Sequence, residues 1–300
     1  MKFELKNLRG VLPALISPLT REGAVDEGGT RRLVEHVLAA GVHGLLPLGS
    51  TGETASLDEG ARRQVLAAVM DAAGGRVPVI CGVAQTHLKA ARAELAAAAS
   101  MGATAALVAP PFYYPIDQAT VLDFYRRLAD GSPLPLLVYN IPQNTKVVIE
   151  PPTLSTLAHE GAVVGIKDSS RDFEYFERVL LATRELPDFR VFTGSDTMLM
   201  AAVAIGGAGT ICGAANVAPG LVVSVFEAAD SGQWELARTR QDRLIELVMA
   251  VREGVFPAAI KAGVAMQGVC EPWPMPPVAA LDEAATARLR KRLEGLLAPV

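Results

Sequence analysis

Short apolar runs alternate with longer stretches of helical period along this chain, and the alternation repeats about eight times before it stops. The runs fall at residues 11–16, 44–48, 77–81, 105–108, 134–139, 163–167, 190–193 and 209–212, and most are apolar throughout. A strand with one wet face alternates polar and apolar residues, so continuous runs predict strands covered on both faces, as in a parallel sheet wrapped by its return helices. Helical patterns at 27–40, 58–73, 88–101, 116–130, 152–159, 172–183, 197–205 and 221–231 supply those returns. Local chemistry agrees at the second of them, where Ser56 with Asp58 and Glu59 can cap the start and Gly74 with Gly75 can end it. After the eighth unit only helical patterns remain, at 234–252, 257–267 and 281–297. The expected architecture is a (β/α)8 TIM barrel over 1–232 with a C-terminal helical region over 233–300. A doubly wound dinucleotide fold would place Gly-x-Gly-x-x-Gly after the first strand, and no such motif is there.

At 300 residues, half of them apolar, the chain can bury the core of one such barrel. Its 28 basic and 32 acidic residues give a net charge of −4, which offers no broad basic field for nucleic acid or an anionic membrane. Residues 1–8 alternate charged and apolar side chains rather than forming the apolar stretch of a signal peptide, so a cytoplasmic location is expected. Cys81, Cys212 and Cys270 are odd in number and far apart, which predicts buried thiols rather than disulfides or a metal site.

Barrel enzymes place their chemistry at the C-terminal ends of the strands. The second run ends in Gly49-Ser50-Thr51-Gly52-Glu53, a tight turn whose two hydroxyls suit a small carboxylate, although such a turn alone is more often a simple cap. The fifth ends in Tyr139-Asn140-Ile141-Pro142, which brings a phenol to the mouth. The sixth reads Val163-Val164-Gly165-Ile166-Lys167, four uncharged residues delivering an amine to the end of a buried strand. Desolvation disfavours an ammonium, and a free amine is the nucleophile that attacks a keto carbonyl. Asp168 follows on the opposite face of the strand and is expected to brace the outside. Metal catalysis would need clustered ligands, whereas His36, His43, His87 and His159 are scattered. The glycines of Gly206-Gly207-Ala208-Gly209 precede the last strand rather than follow it, unlike those of a phosphate-binding barrel.

Gly49-Ser50-Thr51-Gly52-Glu53, Tyr139-Asn140-Ile141-Pro142 and Gly165-Ile166-Lys167-Asp168, in this order and spacing, resemble the dihydrodipicolinate synthase and N-acetylneuraminate lyase family of pyruvate-dependent class I lyases and aldolases. The resemblance spans nearly the whole chain. It implies an imine on Lys167, proton relay by Tyr139, and a keto acid's carboxylate held by Ser50 and Thr51 beside Gly49. It further implies that Tyr113 of Pro110-Pro111-Phe112-Tyr113-Tyr114-Pro115 reaches a neighbouring subunit's site, and that the Ile211 carbonyl lies beside the bound keto acid. The implied assembly is a homotetramer built from dimers. The implied partners are a small keto acid and an aldehyde, with no metal or organic cofactor.

Departures from the family's patterns bear on the second substrate. Dihydrodipicolinate synthases carry an arginine just after Tyr-Asn-x-Pro to grip the aldehyde partner's carboxylate, and this chain reads Gln143-Asn144-Thr145. Gly194-Ser195-Asp196 resembles the lyase branch, where Asp196 would read a sugar-acid hydroxyl, yet Thr197 and Gly213 replace polar groups that meet a long polyol tail. The expected substrate is therefore a 2-keto-3-deoxy acid, undergoing reversible aldol cleavage or dehydration. Dihydrodipicolinate synthesis and a non-catalytic keto-acid-binding barrel are the alternatives.

Overall fold

The computed structural model describes residues 4–297; the first three residues of the N-terminal stretch and the last three of the C-terminal region lie outside the described residues. Seven parallel strands run β1 Gly10–Pro13, β2 Ile80–Val83, β3 Ala105–Val108, β4 Leu136–Asn140, β5 Gly165–Asp168, β6 Arg190–Thr193 and β7 Gly209–Cys212. They are ordered β1-β7-β6-β5-β4-β3-β2. The predicted second strand, 44–48, fills the gap between β2 and β1 through single bridges, Ala14 with Leu46 and Leu45 with Val79. Its amides and carbonyls still bond on both sides: Leu46 N–H donates to Pro13 O, Leu45 N–H to Pro78 O and Gly82 N–H to Pro47 O. Pro13, Pro47 and Pro78 have no N–H, so the ladder here is sparse although the barrel is closed.

The strands beginning at Ala105, Arg190 and Gly209 fall where the apolar runs predict them. The strand expected at 77–81 instead starts at Ile80, two residues past Pro78, and the one expected at 134–139 starts at Leu136, just after Pro135. Proline cannot donate to a ladder, which shifts both starts forward.

Helices α1 Glu27–Ala39, α2 Glu59–Ala73, α3 Leu88–Ser100, α4 Gln118–Ala129, the short α5 Pro142–Thr145, α6 Pro151–His159, α7 Phe173–Thr183, α8 Leu199–Ala204 and α9 Pro219–Asp230 return the chain outside the sheet. Asp26, Asp58, Asp117 and Asp172 cap four of them, each accepting an amide proton three residues on. The α2 cap is therefore Asp58 rather than the expected Ser56, because Asp58 is the residue next to the helix start at Glu59. The helix ends, as anticipated, on Gly74 in the left-handed conformation.

Alternation along each strand divides the core in two. Leu12, Leu46, Ile80, Leu107, Leu137, Phe192 and Ile211 fill the barrel, whereas Val11, Val108, Val138, Ile166 and Val191 pack outward against the helices. Each fully buried large apolar side chain contributes on the order of 2 kcal/mol. After α9 the chain forms α10 Trp234–Ala250, α11 Ala258–Ala265 and α12 Glu283–Leu293. Buried Gln241 ties α10 to the barrel mouth, donating to Asp196 O and accepting the Met200 amide, both at 3.0 Å. No helix among the described residues is long and apolar enough to cross a membrane.

Candidate active site

Register brings the chemistry together. Tyr139 on β4 pairs with Lys167 on β5, and both side chains point into the barrel, as that of Leu137 does one repeat below. Lys167 is 3% exposed and its Nζ donates to Tyr139 Oη at 3.3 Å. The same nitrogen stands 4.4 Å from the phenol ring centroid, so Tyr139 presents both oxygen and π-face to the amine. Ser50 Oγ lies 3.4 Å from Tyr139 Oη, which makes a chain of amine, phenol and hydroxyl.

The next residue on each strand points the other way. Asn140 Nδ2 donates to Asp168 Oδ1 at 2.7 Å in the buried layer behind the barrel, and Asn140 Oδ1 accepts the Ile149 amide. Asp168 also accepts from the Ser170 amide and hydroxyl. Burial raises the Asp168 carboxyl above the usual aspartate range, opposed by the Asn140 and Ser170 hydrogen bonds. The Tyr-Asn and Lys-Asp dipeptides are thus paired on both faces: the inward pair brings amine and phenol together, and the outward pair ties the two strand ends in register. The expected brace at Asp168 is present, and Asn140 is its partner.

The Gly49–Glu53 turn is held from several sides. Ser17 Oγ donates to Gly52 O at 2.7 Å, and Thr51 is buried against Gly213. Glu53 carries a positive φ of 56° and accepts the Met275 amide at 2.7 Å. Its other carboxylate oxygen pairs with Lys261 of α11, a side chain with no exposed surface. Lys261 also donates to Trp273 O at 2.8 Å, and burial lowers its ammonium below the ordinary lysine range, with Glu53 opposing that shift. Sequence reasoning gave neither Glu53 nor Lys261 a role. The signal was available, since Lys261 is the only charged residue in Ala-Ala-Ile-Lys-Ala-Gly-Val-Ala.

Two cavities open above Tyr139 and Ser50. One, of about 270 Å³, is chiefly apolar and is lined by Gly49, Leu107, Phe112 and Ile141 among others. The other, of about 310 Å³, is more polar and includes Thr51, Gln143, Ser169, Arg171 and Arg252. Gly194 sits beside Lys167: a Cβ there would stand 2.0 Å from Ser169 Oγ and 2.9 Å from Lys167 Cε, so a side chain at 194 would displace the amine. Ile211 is wholly buried on β7 with its side chain in the barrel. Asp196 braces the corner after β6, its Oδ1 accepting the Ala214 amide at 3.1 Å. Tyr113 is 77% exposed, has a φ of 80° and packs edge-on against Tyr114, away from the amine and phenol of its own chain. His43 and His87 have structural partners, the first accepting the Val11 amide and the second capping α3 at Ala90. Among the described residues no three His, Cys, Asp or Glu side chains converge as metal ligands.

A closed parallel barrel with a buried lysine under a phenol at its C-terminal mouth defines a barrel enzyme. The model of the dihydrodipicolinate synthetase family matches residues 7–296. The chain is 36% identical to an uncharacterised DapA-like lyase of Halobacterium salinarum over 96% of this chain and 94% of that protein. It is 35% identical to the 4-hydroxy-tetrahydrodipicolinate synthase of Methanopyrus kandleri, over 96% of each chain. Among solved structures, the E. coli K12 prophage protein YagE of the same family, in complex with pyruvate, superposes with a TM-score of 0.92 at 28% identity, covering 96% of this chain and 98% of that one. The chain belongs to the dihydrodipicolinate synthetase family, and it is a lyase with that family's TIM-barrel fold.

Proposed function

We propose that this lyase holds pyruvate or a 2-keto-3-deoxy acid as an imine on Lys167 and catalyses reversible aldol cleavage or dehydration. The supporting observation is the buried contact of Lys167 Nζ with Tyr139 Oη at 3.3 Å, extended to Ser50 at 3.4 Å. Lys167 Nζ attacks the keto carbon and water leaves, with Tyr139 relaying the protons. The protonated imine then accepts an electron pair, either from the breaking bond between the third and fourth carbons or from a C–H bond at the third carbon. An enamine results. In cleavage the hydroxyl proton on the fourth carbon passes to Tyr139, the aldehyde leaves and the enamine is reprotonated at the third carbon. In dehydration the enamine expels the protonated hydroxyl of the fourth carbon as water. Hydrolysis of the imine then frees Lys167 and releases the keto acid. Because Tyr139 Oη accepts a hydrogen bond from Lys167 Nζ, its own O–H is left to point toward Ser50 or the substrate. Ser50 and Thr51 would hold the keto acid's carboxylate beside Gly49 and the Ile211 carbonyl, and Gly194 would leave it room. Asp196 would meet a substrate hydroxyl. The imine itself is the electron sink, so the proposed reaction calls for no metal or organic cofactor.

Pyruvate is the first ligand to test, since YagE was solved in complex with it. Incubation with pyruvate and borohydride should add one reduced imine to the protein, located on Lys167 by peptide mass spectrometry. A chain of unchanged mass under saturating pyruvate would remove the imine from the mechanism.

The same reading includes a cytoplasmic homotetramer in which Tyr113 completes a neighbour's site. Support comes from the exposed Tyr113 and Tyr114 rings, packed edge-on against each other with Tyr113 at a positive φ. Sedimentation should show a species of four chains; a single-chain species at micromolar concentration would refute the role given to Tyr113.

A further inference from the structure

The polar cavity above Tyr139 is lined by two arginines from distant parts of the chain. Arg171 follows β5 by three residues, and Arg252 follows α10 by two. Among the described residues neither makes a hydrogen bond or an ion pair, unlike most arginines of the surface. Their mutual approach is felt electrostatically: Arg252 is held below the usual arginine range, first by burial and then by the charge of Arg171.

The acidic groups nearby do not neutralise this pair. Glu253 lines the same cavity, but both Nε and Nη2 of Arg288 bind its Oε1, at 2.9 and 2.7 Å. Asp196 attracts Arg252 without pairing with it, and its Oδ1 accepts the Ala214 amide. Two uncompensated cations sharing one cleft repel each other, and an anion between them would reverse that cost.

Arg171 is also rigidly placed. Asp168 accepts from the Ser170 amide and hydroxyl, and Ser170 Oγ accepts the Asp172 amide, so the turn from Lys167 to α7 is locked by its own side chains. Gln143 Nε2 donates to Ser169 O at 3.0 Å from the other side of the mouth. Arg171 adopts a φ of 66°, a left-handed conformation that costs a non-glycine residue about 1 kcal/mol. The turn that presents the nucleophile therefore also presents this arginine, on the side where Ser50 and Tyr139 line the cavity.

We infer that Arg171 and Arg252 form a subsite for an anionic group, carboxylate or phosphate, at the end of the substrate remote from the keto carbon. This rests on the imine at Lys167, because that bond sets which end of the substrate lies deep and which reaches the arginines. The site thus selects keto acids charged at both ends over those ending in a methyl or hydroxymethyl group.

Borohydride trapping reads this without requiring turnover. The probes are pyruvate, 2-ketohexanoate, 2-ketoadipate and a phosphate-ended 2-keto acid of similar length, applied to the native protein and to an Arg171→Gln/Arg252→Gln variant. In the native protein a doubly charged probe should half-saturate trapping at a concentration at least about tenfold below that of 2-ketohexanoate, the scale of one charge-assisted hydrogen bond. The variant should lose that preference while trapping pyruvate as before. The more favoured of the two anionic probes identifies the terminal group. Equal half-saturation by neutral and charged probes in the native protein, or an undiminished preference in the variant, overturns the subsite. Failure of pyruvate itself to trap overturns the imine reading, and the subsite with it.

Discussion

Lys167→Ala protein is expected to fold, to gain no mass from pyruvate and borohydride, and to turn over substrate about 10⁴-fold or more slowly than the native enzyme. The size follows from removing the nucleophile, which nothing else in the site replaces. The other buried lysine, Lys261, is occupied by Glu53 and the Trp273 carbonyl, so no second amine takes over. Folding should survive because the side chain has one neutral hydrogen-bond partner, Tyr139 Oη, whose loss costs about 1 kcal/mol while Ser50 remains within reach of the phenol. Tyr139→Phe separates the roles: it should still form the trapped adduct but lose about a hundredfold in turnover, the scale of general acid–base assistance. The two variants thus differ in kind, one failing at capture and the other at proton transfer. Trapping at native stoichiometry in Lys167→Ala would place the reactive amine elsewhere, and native turnover in Tyr139→Phe would remove the phenol from the reaction.

The parts of this site legible in the sequence are those fixed by alternation along a strand. Once 134–139 and 163–167 are read as neighbouring strands ending together, Tyr139 and Lys167 must point the same way, and Asn140 and Asp168 the other. The apolar runs likewise gave the eight-membered barrel, including the 44–48 segment, which Pro47 and the neighbouring Pro13 and Pro78 leave with only single bridges. Distant packing was not legible. Nothing local to Ala258–Ala265 shows that Lys261 meets Glu53, 208 positions earlier in the chain, because that contact depends on how α11 lies over the mouth. The pairing of Arg171 with Arg252 was hidden for the same reason. A lone charge in an apolar run flagged Lys167; the same test applied to helices would have flagged Lys261, though not its partner.

That buried pair carries the other large expectation. Lys261→Met should lower stability by about 3–5 kcal/mol, since it leaves the Glu53 carboxylate buried without its cation. The effect should extend to the site, because Glu53 ends the turn that carries Ser50 and Thr51 and holds the left-handed φ of 56° against strain. A turn released from α11 moves both hydroxyls, so the pyruvate concentration that half-saturates borohydride trapping should rise, while the adduct stays on Lys167. Adding Glu53→Gln to Lys261→Met removes the stranded charge and leaves a neutral amide to accept the Met275 N–H, as Glu53 does at 2.7 Å. The double variant should therefore recover much of the lost stability in urea unfolding. It should not recover pyruvate affinity fully, because the tie between the turn and α11 is still missing. If Lys261→Met unfolds at the native urea midpoint, the pair is not the clamp described, and if the double variant is no more stable than the single one, the loss comes from packing rather than an unpaired charge.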